Sequence, residues 1–566
     1  MRFPVVIRFG VAALLAVGIA LVWARYRGGG EGIRFTDVGA SAGIDLAPET
    51  RADGAFRLIE SSGSGIAVID YDGDGWLDLV IGRGGELPGD RAPVDNACRL
   101  YRNRGDGTFE DVTERAGLRF APFAQGMAVG DFDADGHPDL FIAGFERSAL
   151  FRNTGRGGFE DVTETAGVAG EGWASSCAFA DLDGDGHLDL YVTRYLGGTV
   201  DHLGRPTVRC PTATQGMGER YGYCPPHAHT ALSDLVYRNN GDGTFTDVSE
   251  ASGIGEETSP GLAVAILDVD NDGLLDIYVA NDMRPNHWWR NLGDFRFQES
   301  AKPAGLAYGQ GGESHAGMGV AVGDYDGDGM IDLMVTNFQD EPNDLYRQVA
   351  PGVFTLGTEE AGLKRPSRRV LGFGIAFLDA DNSGHLDLVV ANGHLNDFRS
   401  DGTPYQQAPQ LFRNVGGGRF VDFSDEAGRY FRTKTLARAV ALADFDNDGD
   451  IDIVVTHLDR PPALLRNDSR PRGHFLGLEL VGDSPSGTAV GAMIRVACGD
   501  RVSSHTLYAG GSYLTSSDPR LLVGLGDQER VDRLTIRWPG GAEQTFEGLD
   551  ADHYYRIVEG GSPEKR

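Results

Sequence analysis

The stretch Asp70-Tyr71-Asp72-Gly73-Asp74-Gly75-Trp76-Leu77-Asp78 sets the reading of this chain, because its pattern D-x-D-x-[DS]-G-x-x-D occurs seven times. Alternating aspartates put carboxylates at positions one, three and five, and an aspartate at position nine closes the cage. Ca²⁺ is a hard cation that takes six to eight oxygen ligands in such a loop. The glycine at position six permits the sharp reversal, and position seven offers only its backbone carbonyl. The candidate metal ligands are Asp70, Asp72, Asp74 and Asp78; Asp131, Asp133, Asp135 and Asp139; Asp181, Asp183, Asp185 and Asp189; Asp268, Asp270, Asp272 and Asp276; Asp324, Asp326, Asp328 and Asp332; Asp379, Asp381, Ser383 and Asp387; and Asp444, Asp446, Asp448 and Asp452. Ser383 makes the sixth loop the weakest. Surface turns also favour Asp and Gly, but they do not need four acids in fixed phase. Seven copies in register predict Ca²⁺ sites.

The flanks differ from an EF-hand, which has helices on both sides and a Glu at position twelve. Here Gly65-Ile66-Ala67-Val68-Ile69 precedes the first loop and Leu188-Asp189-Leu190-Tyr191-Val192 closes the third. These read as strands, so each loop joins two antiparallel neighbours. After each loop comes an aromatic residue or Leu followed by Arg-Asn, as in Tyr101-Arg102-Asn103 and Leu465-Arg466-Asn467, drifting once to Tyr346-Arg347-Gln348. A Gly-rich turn and a run such as Thr108-Phe109-Glu110-Asp111-Val112-Thr113 follow. One unit is strand, acid loop, strand, variable loop, strand, tight turn, strand. Four short antiparallel strands repeated radially describe a propeller blade. The loop starts lie 61, 50, 87, 56, 55 and 65 residues apart, one blade each. Ile33-Arg34-Phe35-Thr36-Asp37-Val38 matches an outer strand but precedes the first loop, and the last unit lacks one. The N-terminal strand is expected to complete the last blade and remove the open edges.

These loops and strands resemble FG-GAP (VCBS-type) repeats, and the N-x-G-D-G-T-F-x-D-V-T units are similar to bacterial relatives of cartilage acidic protein. That family carries a C-terminal ASPIC/UnbV domain, whose landmarks are matched by Gly491-Ala492, Gly510-Gly511-Ser512-Tyr513, Gly524-Leu525-Gly526 and Trp538-Pro539-Gly540-Gly541. The resemblance implies a calcium-binding extracytoplasmic protein and no defined reaction. The expected fold is all-β: residues 33–472 as a seven-bladed β-propeller, then 473–560 as a small β-sandwich-like domain packing near the seventh blade, with 561–566 as a tail.

The net charge of −32 comes in large part from the loop aspartates and argues against nucleic acid, whose binding needs a basic footprint. Arg2 and Arg8 precede an uncharged apolar run from Val11 to Ala24. That run suits a signal-peptide h-region; counted from Val5 it is also a candidate N-terminal membrane anchor. Both place the repeats outside the cytoplasm, with residues 1–32 ending in the Gly28-Gly29-Gly30 tether. Extracellular calcium modules work at dissociation constants of about 10⁻⁴ to 10⁻³ M, which agrees with export. Of five cysteines, Cys210 and Cys224 share the longest insertion, and an oxidising compartment favours their disulfide. Cys98 and Cys177 either pair or stay buried thiols.

Strand alternation sorts the connections onto two faces: acid loops and tight turns on one, variable loops and blade-to-blade links on the other. The insertions Arg83 to Ala97, Tyr195 to Asp234, Asp282 to His287, Gln339 to Asp344 and Gly393 to Gln410 fall on the second face, and long loops on a rigid scaffold carry function. Arg194, Asn281, Asp282, Asn337, Asn392 and His394 are the candidate ligand-face residues there, for a surface glycan or a protein partner; the alternative is that they cap strands and order loops. Arg104-Gly105-Asp106 has the letters of an integrin-ligand tripeptide but occupies the tight-turn position. No G-x-S-x-G elbow or H-E-x-x-H occurs, so a recognition or adhesion-type module leads. An enzyme or accessory protein acting on a polysaccharide or secondary metabolite is the runner-up.

Overall fold

The computed structural model describes residues 32–48, 56–90, 94, 96–211, 221–399 and 402–566; the expected signal or anchor lies outside them. Among the described residues, no helix is long and apolar enough to cross a membrane. The regular secondary structure of the described residues is almost wholly short strands.

Seven sheets repeat one antiparallel order among the described residues. In the first, Ile66–Ile69 pairs with Asp78–Gly82, then Cys98–Asn103, then Phe109–Asp111. The acid loop is the connection between the first two strands. Each first strand packs against the first strand of the next sheet, and the seventh, Ala437–Ala443, against Ile66–Ile69. The sheets thus form a closed ring with their first strands innermost. The last sheet takes its outer strand from the N-terminus, where Phe35 stands opposite Asn467 and Asp37 opposite Leu465. The core is the set of apolar layers between neighbouring sheets. One holds Ile69, Val80, Leu100, Leu140 and Phe151; another holds Ile66, Val68, Leu79, Ala441 and Val454. Alternation along the inner two strands of each sheet feeds the layers on both sides, so these strands are mostly apolar, whereas the outer strands such as Phe109–Asp111 bury only part of their length.

The C-terminal segment forms two further four-stranded sheets over a shared core that includes Leu476, Ile494, Leu534, Trp538 and Ile557. It does not only rest beside the ring. The loop holding Gly510-Gly511-Ser512-Tyr513 enters the central channel. Ala509–Gly510 pairs with the inner strand Gly261–Leu267, and Thr515–Ser516 runs parallel to Ile66–Ile69. Ser512 bridges Val320. Tyr513 is buried, rests edge-on against Phe373 at 5.2 Å and donates its hydroxyl to Ser62 O at 3.1 Å. Glycine is required at Gly510 (φ +77°), where a Cβ would stand 2.3 Å from Val264 O. Ser62 belongs to the short helix Leu58–Ser62 at the variable-loop end, so the loop spans the ring from one face to the other. A cavity of about 420 Å³, lined in part by Phe179, Phe377, His505 and Tyr508, remains on the acid-loop side.

Candidate metal loops and ligand face

Each acid loop is folded by its own carboxylates. Asp70 accepts the N–H groups of Gly73, Asp74 and Gly75 at 2.9–3.1 Å. Asp78 is fully buried; its Oδ2 accepts Tyr71 N–H at 3.1 Å and its Oδ1 accepts Asn103 N–H at 2.7 Å. The first-, third- and ninth-position carboxylates converge: in the loops at Asp70, Asp131, Asp181, Asp268 and Asp324, one oxygen from each lies within 4.8 Å of the others. The fifth-position aspartates lie outside that cluster. Asp74 instead accepts Trp76 N–H at 3.0 Å and an Arg102 N–H at 2.5 Å.

The donor chemistry fits a hard cation. Asp133 Oδ1 and Asp270 Oδ1 are buried with no hydrogen-bond partner. Burial pushes the ninth-position carboxyls Asp78, Asp139, Asp189, Asp276 and Asp332 up to about 8. Carboxylates converging in a buried site need a counter-charge, and an all-oxygen set suits Ca²⁺ or Mg²⁺ over softer metals.

The Arg-Asn signal has two tasks. The arginine reaches the outer carboxylates of its own loop: Arg290 binds Asp270 at 2.5 Å and Asp272 at 3.1 Å, and Arg347 binds Asp326 at 2.5 Å and Asp328 at 2.8 Å. Arg152 turns away to Glu160, and in the last loop Arg472 takes the place of Arg466. The asparagine side chain crosses to the preceding blade and donates to the second-position carbonyl of that blade's acid loop. Asn153 reaches Tyr71 O at 2.9 Å, Asn239 Phe132 O at 2.8 Å and Asn291 Leu182 O at 2.9 Å. Asn414 reaches Tyr325 O at 2.8 Å, Asn467 Ala380 O at 3.0 Å and Asn103 Phe445 O at 2.8 Å. The drifted copy keeps the contact, with Gln348 to Val269 O at 2.7 Å. Each acid loop is therefore tied into a blade interface.

The C-terminal domain covers the acid-loop face. Tyr554 donates to Asp444 Oδ2 at 2.7 Å, Arg537 pairs with Asp268 at 3.2 Å, and Ser486 donates to Gly186 O at 2.9 Å. At the weakest loop, Arg501 donates to Ser383 O at 2.5 Å. Gly524 passes so close that a Cβ would lie 1.9 Å from Asp379 Oδ2.

On the opposite face, most of the candidate side chains have local partners. Asn281, Asn337 and Asn392 donate to the loop carbonyls of Pro285, Pro342 and Ala408, while each Oδ1 is buried without a partner. Arg194 binds Ser233 O at 2.5 Å. His394 is buried between Phe338 and Phe398, with Nδ1 at Asn396. Asp282 accepts the Tyr195 hydroxyl at 2.5 Å, and burial pushes its carboxyl up to about 7. Two features carried no sequence signal. His315 Nδ1 lies 2.7 Å from Asp344 Oδ2, contacts that link neighbouring loops. Arg438 is a lone arginine inside an apolar strand. Cys210 and Cys224 are disulfide-bonded, whereas Cys98 and Cys177 remain separate buried thiols. In the Arg104-Gly105-Asp106 turn, Asp106 is spent on Thr108.

A ring of four-stranded sheets with an aspartate loop between the first two strands of each is a β-propeller-like repeat protein. The FG-GAP-like repeat model matches residues 70–142, 131–192, 230–279, 268–335, 324–390 and 379–455, and the ASPIC and UnbV model matches residues 482–564. The chain belongs to the FG-GAP-like repeat family and carries an ASPIC/UnbV domain. It is similar to cartilage acidic protein 1 of Xenopus tropicalis, 25% identical over 335 residues (56% of this chain and 48% of that protein). It is also similar to the Homo sapiens protein of that name, 25% identical over 307 residues (52% and 43%). The chain spans less than half the length of these curated relatives. Two solved structures are also similar. One is an Agrocybe aegerita structure described by its recognition of non-reducing terminal N-acetylglucosamine (TM-score 0.37, 16% identity, 72% of this chain and 94% of that one). The other is BBS1N in complex with ARL6DN (TM-score 0.41, 12% identity, 76% and 98%).

Proposed function

We propose that this protein is a calcium-binding recognition module that works outside the cytoplasm and binds a surface glycan or a protein through its variable-loop face. The observation that carries the reading is the division of labour between the two faces. The acid-loop face is occupied by the protein's own C-terminal domain, which leaves the insertions as the free end of the ring. Those insertions are joined to one another: Tyr223 N–H donates to Asn396 Oδ1 at 3.0 Å, and Gln407 Nε2 to Gln339 Oε1 at 3.2 Å. A braced set of long loops is what a binding surface on a rigid scaffold needs.

Calcium has a structural task in this reading. The loops it would fill lie at the blade interfaces, remote from the insertions. The disulfide and the oxygen-only donor sets both suit an oxidising compartment with millimolar calcium. A glycan array run on the full chain with calcium and with EDTA tests the proposal. Calcium-dependent retention of a defined glycan, lost on shortening Gly393 to Gln410, supports it. Turnover of a retained glycan, or binding unaffected by every insertion change, opposes it.

A further inference from the structure

Arg438 stands near the start of the inner strand Ala437–Ala443, at the variable-loop end of the channel, and is 0% exposed. Its Nε donates to Ser61 O at 2.8 Å, and Nη1 to Ala437 O at 2.8 Å and Gly393 O at 3.2 Å. Nη2 is buried with no partner. The guanidinium lies 4.0 Å over the Phe373 ring. Among the described residues, none of its hydrogen bonds goes to a carboxylate. A buried cation without a counter-ion is costly to keep.

The fold does not require a cation there. Inner strands share an irregularity at their first residues, between Gly261 and Ala263, Gly372 and Ile375, and Ala437 and Val440. It places Leu262, Phe373 and Arg438 at matching points, and Leu262 and Phe373 are buried in the apolar cluster that fills this end of the channel. Neutral side chains serve where the seventh blade has a guanidinium: Leu262 and Phe373 in two blades, and the buried, hydrogen-bonded Gln125 and Ser175 at the matching irregularities of two others. The berth is also shaped for arginine. A Cβ at Gly63 (φ +78°) would lie 2.7 Å from Arg438 Cγ, and one at Gly393 would lie 2.9 Å from Nη1. Burial lowers the guanidinium to about 10, so it stays charged at neutral pH; the exposed Asp459 carboxylate favours its charge without a hydrogen bond to it, and the phenols of Tyr513, Tyr405 and Tyr223 lie near it. Tyr223 and Tyr405 belong to two different insertions and are only partly buried.

We propose that Arg438 anchors a carboxylate-binding site, entered between Tyr223 and Tyr405, and that its ligand is an acidic saccharide. This rests on the recognition reading above and specifies its ligand. The two remaining N–H groups sit on one nitrogen, Nη2, and the guanidinium as a whole carries one unit of charge, which a carboxylate neutralises. A phosphate dianion would leave excess negative charge in an apolar site. Aromatic rings with a polar tip at the entrance suit a sugar ring, which has apolar faces and hydroxyl edges.

The test uses the full chain, saturated with calcium, and calorimetric titration with D-glucuronate, D-glucose and N-acetylglycine. The expected result is binding of glucuronate and not of glucose. Arg438→Met should weaken that binding about tenfold or more, the loss of a charge-assisted hydrogen bond, while near-ultraviolet circular dichroism stays native. Arg438→Lys should keep part of it. Equal responses to glucuronate and glucose in the unmodified protein overturn the proposal, whether or not Arg438→Met folds. So does unchanged glucuronate binding by a folded Arg438→Met. Preference for N-acetylglycine overturns the saccharide assignment. Retention of neutral glycans alone on the array would leave the recognition function standing and remove this inference.

Discussion

The side-chain amide of Asn103 donates to the main-chain carbonyl of Phe445 at 2.8 Å, joining the first acid-loop blade to the last. The same nitrogen donates to Leu77 O at 3.1 Å, and Asn103 is buried. Asn103→Ala therefore leaves two carbonyls short of a donor at the interface that closes the ring. We expect a loss of about 1–3 kcal/mol in urea unfolding. Glu114→Ala, in an exposed turn, is the control and should change stability by less than about 0.5 kcal/mol. Equal effects would remove the ring-closing role from Asn103.

Chelation should loosen every blade together. At free calcium tenfold above a site's dissociation constant, each filled loop stabilises the fold by about 1.4 kcal/mol. EDTA should lower Tm sharply and millimolar calcium should restore it. Asp72→Ala or Asp326→Ala should cost more of the calcium-dependent gain than Asp381→Ala. The loop of Asp381 already has Ser383 in its fifth position and is held by Arg413 and Arg501. Thermal melts of the three variants, with and without calcium, check the order.

The same loops predict how stability depends on pH. The ninth-position carboxyls are raised from 3.8 to about 8 in the fold. A raised pKa means that the folded chain keeps a proton the unfolded chain releases. That contribution is complete below about pH 4 and is lost as pH rises through about 8. In EDTA, Tm should therefore fall between pH 5 and pH 9. A bound cation holds these groups ionised, so calcium should flatten the slope. Parallel slopes in the two conditions would contradict the assignment of these carboxyls as ligands.

Tyr513 connects the C-terminal domain to the far end of the channel. Tyr513→Ala empties a buried aromatic site and removes the hydroxyl from Ser62 O, which we expect to cost about 3–5 kcal/mol. Because its loop pairs with inner strands, removal of residues 473–566 should also lower the Tm of the ring itself. An unchanged ring Tm after that truncation would show the two parts to be thermodynamically independent.

Reduction of Cys210–Cys224 should act locally. Its partners are 14 residues apart, and closure of a loop of that length is worth about 3 kcal/mol in a chain-entropy model. Among the described residues beside it, Tyr223 N–H donates to Asn396 Oδ1 of a neighbouring insertion. Cys210→Ser with Cys224→Ser should leave the ring's Tm nearly unchanged while raising protease cleavage between Tyr195 and Asp234, read by peptide mapping.

The acid loops were legible because metal chemistry needs fixed spacing, and Phe35–Asp37 was legible because it repeats a blade's outer strand without its partners. Asn103 and its counterparts were visible as a repeated letter, yet their reach into the preceding blade depends on ring geometry that no local pattern encodes. The Gly510 to Tyr513 stretch is visible only as a landmark of the C-terminal domain, with nothing local to place it in the channel. Its strands are two residues long, too short for periodicity, and their partners lie hundreds of residues away. Arg438 was hidden for a related reason: one arginine in Ala437-Arg438-Ala439-Val440-Ala441 looks like an exposed point of an alternating strand. Only the closed channel makes it buried.

The pairing of Phe35 with Asn467 sets an order of events during biogenesis. A chain made or exported from its N-terminus must hold its first strand unpaired until residue 467 has emerged, and the channel loop follows later still. The ring is thus a post-translational product with a high contact order, which slows folding. Until closure, the edge of the first strand and that of the last blade are both open to other chains. Crowded expression should therefore favour swapped dimers in which the N-terminal strand of one copy completes the last blade of another.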